Sequence, residues 1–305
     1  MKIKIIIFFL LLASGSQLKA QYYFYNGDYY ESDFIYEIGG SIGAINAMTD
    51  LGGRKGVGEK GVKDFTMKNT DLSGGLFFSV LYKNAVGIRI EGMFGTVKGE
   101  DAQLKDVAAS TAGRYERNLS FRSSITEVVA MGEFHPFELF VNYNSDRRPP
   151  LVSPYLLAGI GYFHFNPQAE LNGSYIDLQP LHTEGQGFPE YPHVKDYKLN
   201  AINFPFGVGA RYDLTPIINV RAELLYRYLT TDYLDDVSGR YIDPSVFANH
   251  LSGNQLLHAI LLNDRHIPGA AHSTAHPGGI RGNPNNDSYI TFNIKLGLTL
   301  GRGRR

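Results

Sequence analysis

The chain has 305 residues, among them 34 glycines, 20 tyrosines and 19 phenylalanines, with no cysteine and no tryptophan. Its 29 basic residues stand against 30 acidic ones, which lacks the basic surplus a nucleic-acid binder uses against phosphate. The missing cysteines exclude a disulfide framework and thiol chemistry, and abundant glycine and aromatics without a collagen period point to close-packed β structure.

In chain order, Lys2 and Lys4 precede an unbroken apolar run from Ile5 to Ala13, followed by small and polar residues up to Ala20. This is the layout of a secretory signal peptide over residues 1–20, with cleavage expected between Ala20 and Gln21. The run is too short to span about 30 Å of hydrocarbon, and no later segment offers eighteen consecutive apolar residues. The chain then divides into an extension over 21–33, a β domain over 34–300 and a basic tail over 301–305.

Eight segments with a hydrophobic period near two read as strands: 34–48, 72–82, 85–96, 120–137, 152–165, 202–213, 217–230 and 289–300. Several reach the nine to eleven residues that a tilted membrane strand requires. Their connections alternate in length. Lys83-Asn84 and Leu214-Thr215-Pro216 are tight turns and Glu138 to Leu151 is a moderate link. The loops after the first, third, fifth and seventh strands are long, the last running from Thr231 to Ser288. Short turns at one end and long loops at the other predict an all-β, eight-stranded antiparallel transmembrane barrel with periplasmic turns, extracellular loops and a short helix in the last loop.

The faces of the strands support that prediction. The last strand sets Ile290, Phe292, Ile294, Leu296, Leu298 and Leu300 against Thr291, Asn293, Lys295, Gly297 and Thr299. The seventh sets Ile218, Val220, Ala222 and Leu224 against Asn219, Arg221 and Glu223. In a membrane barrel the large apolar and aromatic residues meet lipid, while small and charged residues fill the lumen. The expected lumen acids are Glu37, Glu91, Glu127, Glu133 and Glu223, and the expected bases Arg89, Arg211, Arg221, Arg227 and Lys295. Equal numbers of each sign can pair in a low-dielectric interior. The fourth strand breaks the pattern, since Ile125, Val129, Glu127 and Glu133 share parity, and a bulge near Ala130 is expected to shift its register. A barrel of this size is filled by its own side chains, so an open porin is not expected.

The last loop holds Asp232, Asp235, Asp236 and Asp243 close together, without the spacing and glycine of a calcium-binding EF-hand loop, so turn capping is the expected role. Ser245 can cap a short helix, on which Leu256, Leu257, Ile260 and Leu261 follow helical spacing and are expected to pack over the barrel mouth. His258, His266, His272 and His276 lack metal-site spacing, and no nucleophile elbow or triad appears. Glu91 and Glu127 could act as acid and base only if the lumen did not pair them. No catalytic site, metal or cofactor is expected.

Four segments resemble the PorG-like family of outer-membrane barrels associated with the type IX secretion system: EIGGSIGAINAMTDLGG (37–53), RNLSFRSSITEV (117–128), TDYLDDVSGRYIDP (231–244) and RGNPNNDSYITFNIKLGLTL (281–300). The most specific positions are Asp232, Tyr233, Asp235 and Asp236 in the third segment and Arg281, Gly282, Asn283 and Pro284 in the fourth. The resemblance implies a non-enzymatic barrel that anchors or scaffolds secretion machinery, partnered by lipid and by PorK/PorN-like periplasmic ring proteins. The alternative is a surface binding protein or adhesin acting through its long outer loops.

Overall fold

A computed structural model describes residues 33–52, 67–111, 113–140, 152–215, 217–270 and 274–300. The expected signal peptide, the extension up to Ser32 and the tail over 301–305 lie outside the described residues. So do Pro216, His272 and most of the link from Glu138 to Leu151.

Nine strands form one antiparallel sheet: β1 Phe34–Met48, β2 Asp71–Tyr82, β3 Val86–Glu100, β4 Ser120–Phe134, β5 Val152–Leu171, β6 Ser174–Asp177, β7 Asn200–Asp213, β8 Ile218–Leu229 and β9 Ser288–Leu300. Their order is β4-β3-β2-β1-β9-β8-β7-β5-β6, and the additional β4–β5 pairing closes the ring. Eight strands make the barrel; β6 pairs only with the far end of β5, from Gln168↔Asp177 to Leu171↔Ser174. Closure leaves no open edge along the barrel wall, the condition for β structure to cross hydrocarbon.

Lys83 and Asn84, with φ of 50° and 56°, join β2 to β3 in the left-handed conformation a two-residue hairpin uses. The outward residues of β3 are Val86, Ile88, Ile90, Gly92 and Phe94, then Thr96, Lys98 and Glu100, so one strand marks where the apolar belt stops. Around the barrel Leu76, Phe78, Leu156, Ile160, Phe206, Val208, Ile294, Leu296 and Leu298 are exposed on the same wall. Exposed aromatics ring both ends: Phe34, Tyr36, Tyr82, Phe134 and Tyr212 at the end bearing the tight turns, and Phe94, Tyr162, Phe204 and Tyr228 at the other. These are the two girdles of a membrane barrel, placed where amphipathic rings meet head groups.

Three details differ from the reading of the sequence. β4 has no bulge near Ala130, since its register runs unbroken from Glu100↔Ser120 to Val86↔Phe134. Its inward face carries Ile125, Val129 and Met131 beside Glu127 and Glu133 because part of the lumen wall is apolar: Val129 and Met131 pack with Tyr155, Leu157 and Leu225. Secondly, β5 continues to Leu171, beyond the expected end at Phe165, because the β6 hairpin supplies it with a hydrogen-bonding partner outside the belt. Thirdly, aromatics fill the interior as well as the wall, with Phe77, Tyr155, Phe163, Phe165 and Tyr289 all buried.

Candidate functional site

The interior is layered. All ten expected charges lie on the inward face and are at most 5% exposed, eight of them toward the tight-turn end and Arg227 and Glu127 level with Met93, Phe163 and Tyr289. Arg221 joins Glu37 at 2.6 Å and Glu133 at 2.8 Å, while Arg89 joins Glu133 at 2.6 Å and Glu223 at 2.5 Å. Lys295 reaches Glu223 at 2.9 Å and also pairs with Glu91. Arg227 and Glu127 form a separate pair at 2.9 Å, with Asn203 donating to Glu127 and Arg227 donating to Thr291. Arg211 lies off the lattice, bonded to Asp213 at 2.8 Å and 3.9 Å from Glu37.

Two inward aromatics hold this lattice flat. The Phe77 ring lies 5.0 Å from Arg89, 5.6 Å from Arg221 and 5.4 Å from Lys295, and Tyr155 lies 5.5 Å from Arg221 while donating to Glu223. A desolvated cation over such a ring gains about 2 kcal/mol. Room for Phe77 comes from Gly39, where a Cβ would stand 2.5 Å from the ring. His135, not singled out in the sequence, stacks on Tyr155 at 4.6 Å and bonds Ser153 at 3.1 Å. Period-two parity places Phe77 and Tyr155 inward, the one signal that could have found them. Glu91 and Glu127 are both held in ion pairs.

Above the charges of the tight-turn end lies an apolar layer. Ile45, Met93, Val97, Phe121, Ile125, Phe163, Phe165, Leu229 and Tyr289 of the strands pack with Leu51, Leu234 and Val237 of the loops. The loops therefore enter the barrel mouth and close it.

Over that layer the two most specific segments meet. Arg281 donates to the Asp236 carbonyl at 2.6 Å and to Glu184 at 3.1 Å, and Asp236 accepts from Thr183 at 2.5 Å and Tyr197 at 2.6 Å. Asp235 accepts from Leu51 N at 3.2 Å and Val237 N at 2.9 Å. Asp50 accepts from Asn283 N at 2.5 Å, Arg281 N donates to Gly239 O at 2.8 Å, and Arg117 donates to the Arg281 carbonyl. Asp101 holds Arg117 at 2.8 Å and Leu119 N at 3.1 Å. Tyr233 stacks on Tyr197 at 4.5 Å. Gly282 admits this closure, since a Cβ there would lie 2.6 Å from both Asp50 and Val237. Asn283 and Pro284 are exposed at the edge of the cap.

Burial raises several of these acids: Asp50 and Asp236 to about 6, Asp235 to about 8 and Asp232 to about 9, with Asp287 also well up. Asp50, Asp232, Asp235 and Asp287 oppose one another's ionisation, while Arg114, Arg117 and Arg281 favour it only in part. Asp50, Asp101, Glu184, Asp287, Arg114 and Arg117 were not singled out in the sequence; they come from four loops, with Asp101, Arg114 and Arg117 sharing the one between β3 and β4.

The acids of the last loop do cap turns in places: Asp235 binds Val237 N, and Asp243 binds Ser245 N at 2.9 Å. Asp243 thus caps the short turn Pro244–Val246, while the helix Gly253–Asn263 follows Ser252, which makes no side-chain cap bond, so Ser245 caps neither. The helix Gly253–Asn263 does not bury its expected stripe. Ala259 and Leu262 pack against Phe188, Ile242 and Phe247, with Leu256 partly covered, while Leu257, Ile260 and Leu261 are exposed. The helix leans on the β5–β6 hairpin side of the loop assembly, which turns a different face inward than the barrel mouth would. His266 bonds Asp264 at 2.7 Å, His276 contacts the Pro277 carbonyl, and no group of three metal-ligating side chains occurs among the described residues.

A closed ring of eight strands, charged within, apolar without and girdled by aromatics, defines a transmembrane β-barrel, here topped by folded loops. The chain belongs to the family DUF6089, described as a domain of unknown function, whose match covers residues 29–249. No curated protein matches the sequence. Among solved structures it is similar to Neisserial surface protein A (NspA) at 12% identity, over 88% of this chain and 97% of that one, with a TM-score of 0.37. It is also similar to Ail, the attachment invasion locus protein of Yersinia pestis, at 12% identity over 88% and 97%, with a TM-score of 0.32. The outer membrane protein OprG from Pseudomonas aeruginosa is similar at 11% identity over 87% and 95%, with a TM-score of 0.36.

Proposed function

We propose that this chain is a non-enzymatic outer-membrane barrel, exported by residues 1–20, that anchors or scaffolds the type IX secretion machinery. The observation that carries the non-transporting part is the filled interior: a charge lattice, an apolar layer and a polar cap lie in series along the barrel. A barrel without a path of its own acts through its surfaces, and the tight-turn end and termini are the surface for PorK/PorN-like ring proteins. The secretion role is supported by the resemblance of the 37–53, 117–128, 231–244 and 281–300 segments. Membrane fractionation with affinity capture tests both parts. The tagged chain is expected in the outer-membrane fraction together with a ring lipoprotein; a soluble chain, or capture without any ring component, would overturn the reading.

One observation favours the alternative of a surface binding protein. The outer loops build a core of their own, in which Leu178, Leu181, Phe188, Ile242, Phe247, Ala259 and Leu262 are buried. A preformed outer surface is what a binder presents at low entropic cost. Removing residues 244–276 spares secretion and abolishes surface binding if this alternative holds, and the reverse result supports the scaffold.

A further inference from the structure

Beside the polar cap the loops leave a cleft of about 430 Å³, inside the size range of small-molecule sites. Four arginines from three separate segments line it: Arg114, Arg117, Arg240 and Arg281. Asp50, Asn283, Thr111 and Thr274 are the other polar side chains of its lining. We infer that this cleft binds a compact oxyanion, a phosphate or carboxylate carried on a body of about sugar size.

The argument rests on where the guanidinium groups are spent. Arg117 is fully occupied by Asp101, Asp50 O and Arg281 O, which makes it the fixed wall of the cleft. Arg281 is 2% exposed and uses its terminal nitrogens on Glu184 and Asp236, while its buried Nε has no partner. That Nε is closed to solvent, so Arg281 adds positive charge to the wall rather than an open donor. Arg114 donates to the carbonyls of Asp50 and Gly52, and Arg240 to the Gly278 carbonyl at 2.7 Å. Among the described residues no carboxylate lies within ion-pair range of Arg240. The one acid in the lining, Asp50, already receives Asn283 N. Arg117 and Arg281 are thus anchored in the wall by Asp101 and Glu184, and Arg240, whose described acceptor is a neutral carbonyl, is the exposed cation of the cleft. Ile280 and Pro284 add apolar wall on which the carbon body of a ligand can lie.

This site is independent of the secretion reading, because it lies among the outer loops and needs no ring protein. The test is titration calorimetry on the full-length, detergent-solubilised chain at low salt, with inorganic phosphate, glucose 6-phosphate, glucuronate and glucose as probes. Glucose 6-phosphate or glucuronate is expected to bind, glucose is not, and whichever anion binds more tightly assigns the oxyanion. Arg240→Gln and Arg114→Gln should each weaken that binding at least fivefold, while Arg122→Gln, outside the cleft, leaves it unchanged. The heat-dependent gel shift of a folded barrel confirms that each variant is intact, and Arg240→Gln, at an exposed position, serves alone if Arg114→Gln fails to fold. Absence of anion binding, glucose binding as tightly as its phosphate, or an unchanged affinity in Arg240→Gln would overturn the inference.

Discussion

Arg221 is the residue on which the lumen turns. It bridges Glu37 on β1 and Glu133 on β4, strands that do not pair with each other, while its guanidinium lies between the Phe77 and Tyr155 rings. Arg221→Met would keep the volume, leave Glu37 short of its main cation and leave Glu133 to Arg89. Removing one partner of a buried ion pair costs about 3–5 kcal/mol, whereas exchanging the whole network for apolar groups can be neutral. Arg221→Met is therefore expected to destabilise the barrel by about that amount, and Arg221→Met combined with Glu37→Gln, which leaves the Arg89–Glu133 pair in place, to recover most of it. Urea titration in lipid vesicles, read by the gel shift of the folded barrel, measures both. If the double variant is no more stable than Arg221→Met, the lattice does not act through charge compensation.

At the scale of elements the loop cap carries its own pH dependence. The unfolded reference for an aspartate is near 3.8, and the fold raises Asp50 and Asp236 to about 6, Asp235 to about 8 and Asp232 to about 9. A raised acid favours the fold most while it keeps its proton, so the contribution is full below the ordinary carboxylate value and is lost as pH climbs through 6 to 9. The facing groups set the spread: Asp236 has Arg281 and Glu184 beside it, Asp50 has Arg114, Arg117 and Glu184, and Asp235 meets Asp50, offset by hydrogen bonds from Thr49 and Val237 N and by Arg117. Amide hydrogen exchange at residues 232–239 and 281–287, corrected for its intrinsic pH dependence, should show protection falling between pH 5 and pH 9. Protection of the β2–β3 hairpin should not change, since that element contains none of these acids.

For the whole molecule, the consequence of three layers in series is electrical. Ion pairs, apolar core and cap each obstruct the axis, so planar bilayers containing the purified barrel are expected to show no steady open-channel conductance. Small variants in the lattice should not suffice to open it, because the layer from Ile45 to Tyr289 remains above. A stable conductance of the size seen for general porins would contradict the closed interior.

The sequence by itself determined the barrel. Period-two alternation, two tight turns against four long loops, and five acids with five bases on one parity were enough, because a strand's face is set by parity alone and needs no distant contact. It also marked Asp232, Asp235, Asp236 and Arg281, though not what they do. Only the tertiary structure decided that Asp236 and Arg281 meet over Glu184, that Asp50 and Arg117 tie the first and second outer loops to the last, and that β4 turns apolar residues inward without a bulge. Those facts depend on closure of the ring, which brings together loops distant along the chain and gives each inward face an opposite wall. No local pattern encodes which residue will stand across a lumen or beside it in another loop. The exposed stripe of Leu257, Ile260 and Leu261 shows the same limit: helical spacing gives a face, and only packing decides which face is covered.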